Sequence, residues 1–299
     1  MSVSSLIAAM QRQEESSAYR CHDYFPRLSE NPENFPVDTN SRVKLIEWNY
    51  SIADFCGFNR EVVSFATSYI DRYLSSDSAD TKQALRDTRR YQLLFMTSLL
   101  IAVKFHDPEK LDRQLLSKLS HGKYTADEFI KAEEHLLKSL NWRLSTPTSA
   151  SFVRQLLSIL PSCGVVPSLE SILMDFASCQ TELAVQDYNL NFVKPSVLAV
   201  SAILNAMEKL DFLNFSARHR MEYLKRIKEV SHIETSSDLI CKVRVKLREL
   251  LDHYWDQRKH LKHSTAICKK SSLTITTTDG ASLDAFSCPT FKQKSRAMQ

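Results

Sequence analysis

The sequence predicts an all-α protein built as two tandem five-helix bundles with disordered ends. Three observations carry that reading. Only four glycines occur in 299 residues, so tight turns are few and the chain reads as helices joined by polar loops. Two stretches, Tyr91–Phe105 (YQLLFMTSLLIAVKF) and the SVLAVSAILNAM run at 196–207, are apolar on nearly every side. A helix that is hydrophobic all round belongs inside a bundle with other helices packed around it. Each stretch is the third of five helical segments, so the halves look like a structural repeat despite weak residue identity.

The elements follow in order. Residues 1–40 open with a short amphipathic stretch and continue as a polar segment with Pro26, Pro32 and Pro36, read as a flexible arm. From Ser41, Leu45, Trp48, Ile52 and Phe55 form one stripe at helical spacing, and Val43, Ile46, Tyr50 and Ala53 form a second. Cys56-Gly57 end that helix. Asn59 and Glu61 open the next as cap and first-turn acid, and it runs to about Leu74. A polar loop, Ser75–Asp87, leads into the central helix. Lys104 stands in its last turn, where the helix dipole favours a cation, and Pro108 pushes Asp107 out of the helical region. A short helix around Leu111–Leu119 follows. Thr125 and Glu128 are spaced as a capping box for the fifth helix, whose inner face holds Phe129, Ala132, Leu136, Leu137 and Leu140.

Thr146-Pro147-Thr148 reads as a linker. The second set of helices is expected at Ser149–Leu160, Ser168–Asp187, Pro195–Lys209, Ser216–Val230 and Thr235–Tyr254, with Pro195 at a tolerated first-turn position. The remaining Ser/Thr-rich tail has too few apolar residues to order itself. The expected organisation is an arm at 1–40, one bundle at 41–146, a second at 147–255 and a disordered basic tail at 256–299.

Composition excludes several classes of function. Gly57, Gly122, Gly164 and Gly280 stand too far apart to form the glycine-rich loops that cradle phosphates. None of the seven cysteines is paired as C-x-x-C, which argues against zinc ribbons and redox motifs. Their odd number fits a reducing, intracellular compartment. The apolar run at 91–105 falls short of the roughly 20 residues that span a bilayer. Net charge is +4, but residues 256–299 hold 8 Lys and Arg against 3 Asp and Glu. The rest of the chain is near neutral, so no basic face for nucleic acid is expected. Glu133-Glu134-His135 lacks the pairing of H-E-x-x-H. No catalytic residue, cofactor or metal is expected.

Within the first five helices the order of motifs is specific. S-R-V-K-L-I-E-W (41–48) is followed by Y-I-D-R-Y-L (69–74), A-V-K-F (102–105), Glu133 and L-x-W-x-L-x-x-P-T (140–148). This set, covering Ser41–Thr148, resembles the cyclin box, the helical domain that activates cyclin-dependent kinases. D-Y (187–188) and K-P-S (194–196) resemble the more variable C-terminal cyclin fold. The run K-F-H-D-P-E-K-L-D (104–112) is similar to the expanded cyclins of diatoms and related protists.

The resemblance implies a non-catalytic regulatory subunit, in the nucleus and cytoplasm. It would bind and activate a cyclin-dependent Ser/Thr kinase to control cell-cycle progression at G1/S. Arg42 and Asp71 match the family's internal ion pair, which clamps the first helix to the second. Lys104 and Glu133 match the pair that grips the kinase backbone, and Phe105 and Leu137 match apolar anchors of that interface. Leu45, Trp48 and Gln92 agree with the groove that docks Arg-x-Leu segments of kinase substrates or inhibitors. Ser41, Lys44 and Ser51 depart from it. Ser51 stands where a carboxylate is usual and Lys44 where an apolar residue is, so a basic ligand would be held more weakly. The alternative is a cyclin-fold scaffold for general transcription factors. Cys21 standing alone and the near-neutral first 255 residues disfavour that.

Overall fold

The computed structural model describes residues 2–25, 36–76, 78–107, 111–161, 168–210 and 215–268. Among them are twelve α-helices and no strand. The first, α1 (Val3–Glu15), lies in the segment expected to be a loose arm. The chain separates into two compact units, and α1 contributes residues to both.

One unit comprises Gln11–Thr148 with Val185–Val193. Its helices are α2 (Thr39–Cys56), α3 (Glu61–Ser75), α4 (Ala79–Arg86), α5 (Thr88–His106), α6 (Arg113–Leu119) and α7 (Ala126–Ser139). α5 is the central helix, as its sequence requires. Every residue from Leu94 to Val103 is buried, and α2, α3, α4 and α7 all pack against it. Asp87 starts α5 by accepting from the Arg89 N–H. Asp38 does the same for α2 through Ser41 N–H, and Gly57 ends that helix at φ +72°, a left-handed conformation that glycine adopts without a Cβ clash. The capping box on α7 has both arms in place, Thr125 Oγ1 receiving Glu128 N–H and Glu128 Oε2 receiving Thr125 N–H.

Two features depart from the sequence reading of this unit. α4 occupies the expected polar loop. Ser78 caps it, and only Thr81, Ala84 and Leu85 are buried, too few positions to display a period. The arm also contributes to the core: Tyr24, Phe25 and Val37 are buried there. Residues 26–35 lie outside the described residues.

The other unit comprises Met1–Met10, Ser149–Ala184 and Lys194–Ser282, described through residue 268. Its helices are α8 (Ser149–Leu157), α9 (Ser168–Gln186), α10 (Pro195–Glu208), α11 (Ala217–Ser231) and α12 (Asp238–Cys268). α10 plays the central part, with every residue from Ser196 to Met207 buried. Its buried Asn205 is answered: Nδ2 donates to Gln180 Oε1 at 2.9 Å and to Arg244 O at 3.0 Å, which ties α9, α10 and α12 together. α12 extends past the expected stop at Tyr254. Gln257, Arg258, Lys259, Leu261 and Lys262 are good helix formers, so the first residues of the expected disordered tail continue the helix. Residues 269–299, the rest of that tail, lie outside the described residues.

Candidate partner-binding site

Two groups of charged side chains organise the first unit, one inside and one on the surface. The inner group is the Arg42–Asp71 pair. Arg42 Nε and Nη2 donate to the two oxygens of Asp71 at 3.1 and 2.7 Å, a bidentate contact between α2 and α3 with both side chains essentially unexposed. Tyr24 Oη donates to the same carboxylate at 2.6 Å. Arg42 Nη1 is satisfied by the carbonyls of Val185 and Gln186 at 2.9 and 3.2 Å. Burial pulls the Arg42 guanidinium down, but Asp71 overrides it and holds the group above the usual arginine range. Burial first, and then the Asp71 carboxylate, push the Tyr24 phenol well above its ordinary value.

Aromatic packing closes this hub. The Tyr24 and Phe25 rings lie edge-on to Tyr188 at centroid distances of 5.2 and 4.7 Å. Tyr188 Oη accepts the Tyr24 N–H at 3.0 Å and donates to Asp23 Oδ1 at 2.8 Å. The structure thus brings together the expected pair, Arg42 and Asp71. It adds Tyr24 and the 185–188 backbone, which no spacing in the sequence announces.

The surface group sits where α5, α6 and α7 meet. Lys104, in the last turn of α5, donates to both Glu133 oxygens at 2.6 and 2.8 Å. Arg113 of α6 donates to Glu133 Oε2 through Nη2 at 2.8 Å and Nε at 3.2 Å. Glu133 is 13% exposed, Lys104 36% and Arg113 37%, so the carboxylate is held back between two reachable cations. Partial burial raises the Glu133 pKa, and hydrogen bonds from Lys104 and Arg113 outweigh it, leaving the group below its usual range. Phe105, the residue after Lys104, is 55% exposed. Leu137 lies one turn beyond Glu133, half-buried against the core. Ile130 lies nearly one turn before it, 46% exposed.

Chemically, the triad carries one surplus positive charge beside an apolar patch. It offers N–H donors from two side chains and a carboxylate able to accept. That combination suits a partner's main chain, with its carbonyls toward Lys104 and Arg113 and its N–H groups toward Glu133. Arg113 was not among the expected site residues. An arginine at the start of a short helix carries no signal of its own.

Leu45, Trp48 and Gln92 are placed differently. Their exposures are 0%, 5% and 1%, so their side chains belong to the core in this conformation. Gln92 Oε1 accepts from Lys123 Nζ at 2.6 Å and Tyr124 Oη at 2.9 Å. Of the departing positions, Lys44 and Ser51 are exposed, and Ser51 Oγ donates to Glu47 O. Ser41 is buried, with its hydroxyl on Asp38.

Residues 6–145 match the family model described as "Cyclin, N-terminal domain", a span holding all the residues just described except those at 185–188. Cyclin-A1-4 of Oryza sativa subsp. japonica is 32% identical over 170 residues, 57% of this chain and 45% of that protein. Cyclin-A1-2 of Arabidopsis thaliana is 27% identical over 217 residues, 68% of this chain and 47% of that protein. The chain spans about half the length of these curated relatives. A viral cyclin from herpesvirus saimiri shares the fold, with a TM-score of 0.60 over 83% of this chain and 99% of that one at 21% identity. Over residues 6–145 the chain is thus similar to the cyclin N-terminal domain, and it shares the fold of that viral cyclin.

Proposed function

We propose that the protein is the regulatory, non-catalytic subunit of a cyclin-dependent Ser/Thr kinase, and that Lys104, Glu133 and Arg113 with Phe105 and Leu137 form its kinase-binding surface. The observation that carries this reading is the triad itself: a carboxylate between two reachable cations, edged by exposed Phe105, within the cyclin N-terminal domain. A subunit that binds the kinase's active conformer better than its inactive one shifts the population toward the active form. It raises phosphoryl transfer without touching phosphate, because the transfer chemistry belongs to the kinase.

The two bundles, read at 41–146 and 147–255, would serve as kinase-binding and supporting folds. The action is placed in nucleus and cytoplasm. The exposed cation at Lys44 and the missing acid at Ser51 support a G1/S or signal-responsive role over a mitotic one. They also support only weak capture of Arg-x-Leu substrates or inhibitors at Leu45, Trp48 and Gln92, whose side chains would have to open from their buried positions. The K-F-H-D-P-E-K-L-D run supports placing the chain with the cyclins of diatoms and related protists.

The test is affinity purification of the tagged protein from its own cells, with a kinase assay on the eluate. A cyclin-dependent kinase should co-purify with the parent. It should be absent with Lys104→Ala plus Glu133→Ala, whose helical circular dichroism should be unchanged. Polymerase or promoter factors in the eluate without a kinase would replace this reading with the transcription scaffold.

A further inference from the structure

The face of the first unit at which α3 and α7 both end encloses a cleft of about 210 Å³. Arg20, His22, Arg72 and Arg143 line it, and among its described lining residues there is no carboxylate. Two helix C-termini present carbonyls with partial negative charge, so some basic character there is expected. Those carbonyls are answered without the exposed arginines. Ser76 Oγ donates to Tyr73 O at 2.9 Å, and the N–H groups of Leu140, Trp142 and Asn141 donate to the carbonyls of Leu136, Leu137 and Lys138 at 2.9, 3.0 and 3.0 Å. Arg72 Nη1 takes Arg143 O at 2.8 Å and Thr146 Oγ1 at 3.1 Å.

What remains is uncompensated positive charge. Arg72 is only 8% exposed, its guanidinium lies 4.8 Å from the centre of the Tyr19 ring, and its Nε has no hydrogen-bond partner. Burial holds it below the ordinary arginine range, and the charge of Arg143 pushes the same way. Arg20 and Arg143 are exposed, and neither has an ion-pair partner among the described residues. Isolated surface cations are unremarkable. Three guanidiniums around one small recess, one of them buried, repel one another unless an anion sits among them.

We propose that this cleft binds a phosphomonoester dianion, gripped by the Arg20 and Arg143 guanidiniums with Arg72 supplying fixed charge beneath. Guanidinium forks match phosphate oxygens bidentately. A phosphomonoester carries close to two charges near neutral pH, which answers this cluster better than a single carboxylate does. The exposed positions of Arg20 and Arg143 at the rim leave room for a chain leading outward, so phosphoserine on a peptide and free inorganic phosphate share the required chemistry. The site is separate from Lys104 and Glu133 and does not depend on the kinase reading.

The experiment is isothermal titration calorimetry of the full chain at low salt. The probes are inorganic phosphate, a short neutral peptide carrying one phosphoserine, and the same peptide unphosphorylated. Phosphate and phosphopeptide should compete for one site, and the unphosphorylated peptide should give no heat. Arg20→Ala with Arg143→Ala should weaken binding about tenfold or more. Because both side chains are exposed, the thermal melt of the variant should match the parent. Tighter binding of the phosphopeptide assigns the site to protein-borne phosphate, tighter binding of inorganic phosphate to the free anion, and either upholds it. Absence of binding, undiminished binding by the double variant, or equal binding of the unphosphorylated peptide overturns it.

Discussion

Asp71→Ala tests how the interior of the first unit is held. The carboxylate it deletes receives three donors, Arg42 Nε, Arg42 Nη2 and Tyr24 Oη, in a fully buried place. After the change, Arg42 stays buried with only its Nη1 answered, by Val185 O and Gln186 O. Removing one member of a buried pair costs about 3–5 kcal/mol, because the other charge is left uncompensated. The orphaned Tyr24 hydroxyl pushes the figure toward the upper end. Against a total stability of about 5–15 kcal/mol that is a large fraction.

Urea unfolding followed by tryptophan emission reads it out. Trp48 on α2 is 5% exposed, whereas Trp142 and Trp255 are 68% and 45% exposed, so the change in emission reports mainly the unit holding Asp71. With a slope of about 2 kcal/mol per molar urea, the midpoint should fall by roughly 2 M. Replacing both partners by apolar residues, Arg42→Met with Asp71→Leu, should restore most of the loss, since no charge is then stranded. A midpoint for Asp71→Ala within about 0.5 M of the parent would refute the reasoning.

Three further outcomes follow from other parts of the structure. Thr125→Ala removes one arm of the α7 capping box and should cost about 1 kcal/mol, measured by the same titration; an unchanged midpoint would show that the cap is idle. His106 stacks on Phe65 at 3.5 Å and bonds Tyr69 Oη at 2.8 Å, and burial holds its pKa below the ordinary 6.5. Its neutral form is therefore the folded one. Its contribution is complete above pH 6.5 and shrinks as the pH falls, because the unfolded chain takes the proton first. His106→Gln should flatten the fall in urea midpoint between about pH 7 and 5.5, and an unaltered slope would exclude the effect. Burial pushes the Cys21 thiol up to about 12, while Cys241 is exposed. Since the thiolate is the reactive form, iodoacetamide with mass-spectrometric mapping should label Cys241 well before Cys21, and the reverse order would contradict the packing around Cys21.

The sequence announced what depends on period and on local caps. An all-round apolar run had to become a central helix, and α5 and α10 are those helices. Thr125 and Glu128 stand three apart and cap each other, because both partners of that interaction lie within one turn. Local pattern carries no trace of an element whose decisive partner is distant. Tyr24 follows a polar stretch and precedes a proline-containing one, which reads as loose chain. It is ordered by Asp71, 47 positions away, and by Tyr188, 164 positions away. α4 is illegible in the sequence for a different reason: eight residues burying three give periodicity nothing to act on.

The surface triad shows the same division more sharply. Lys104 and Glu133 could be named by their motif, but their mutual contact spans 29 residues and includes a third member, Arg113, that the motif does not contain. The addition changes the chemistry. Lys104 and Glu133 alone would be a neutral pair, of little worth at a surface and easily opened. With Arg113 the cluster keeps its carboxylate half-buried and ionised and retains one surplus positive charge. A partner drawn to it must bring acceptors, as the carbonyl-bearing C-terminal end of a helix does. Attraction of that kind is screened by salt, whereas burial of Phe105 is not. Binding that weakens with salt yet survives at high ionic strength would assign the first part to the triad and the remainder to the apolar patch beside it.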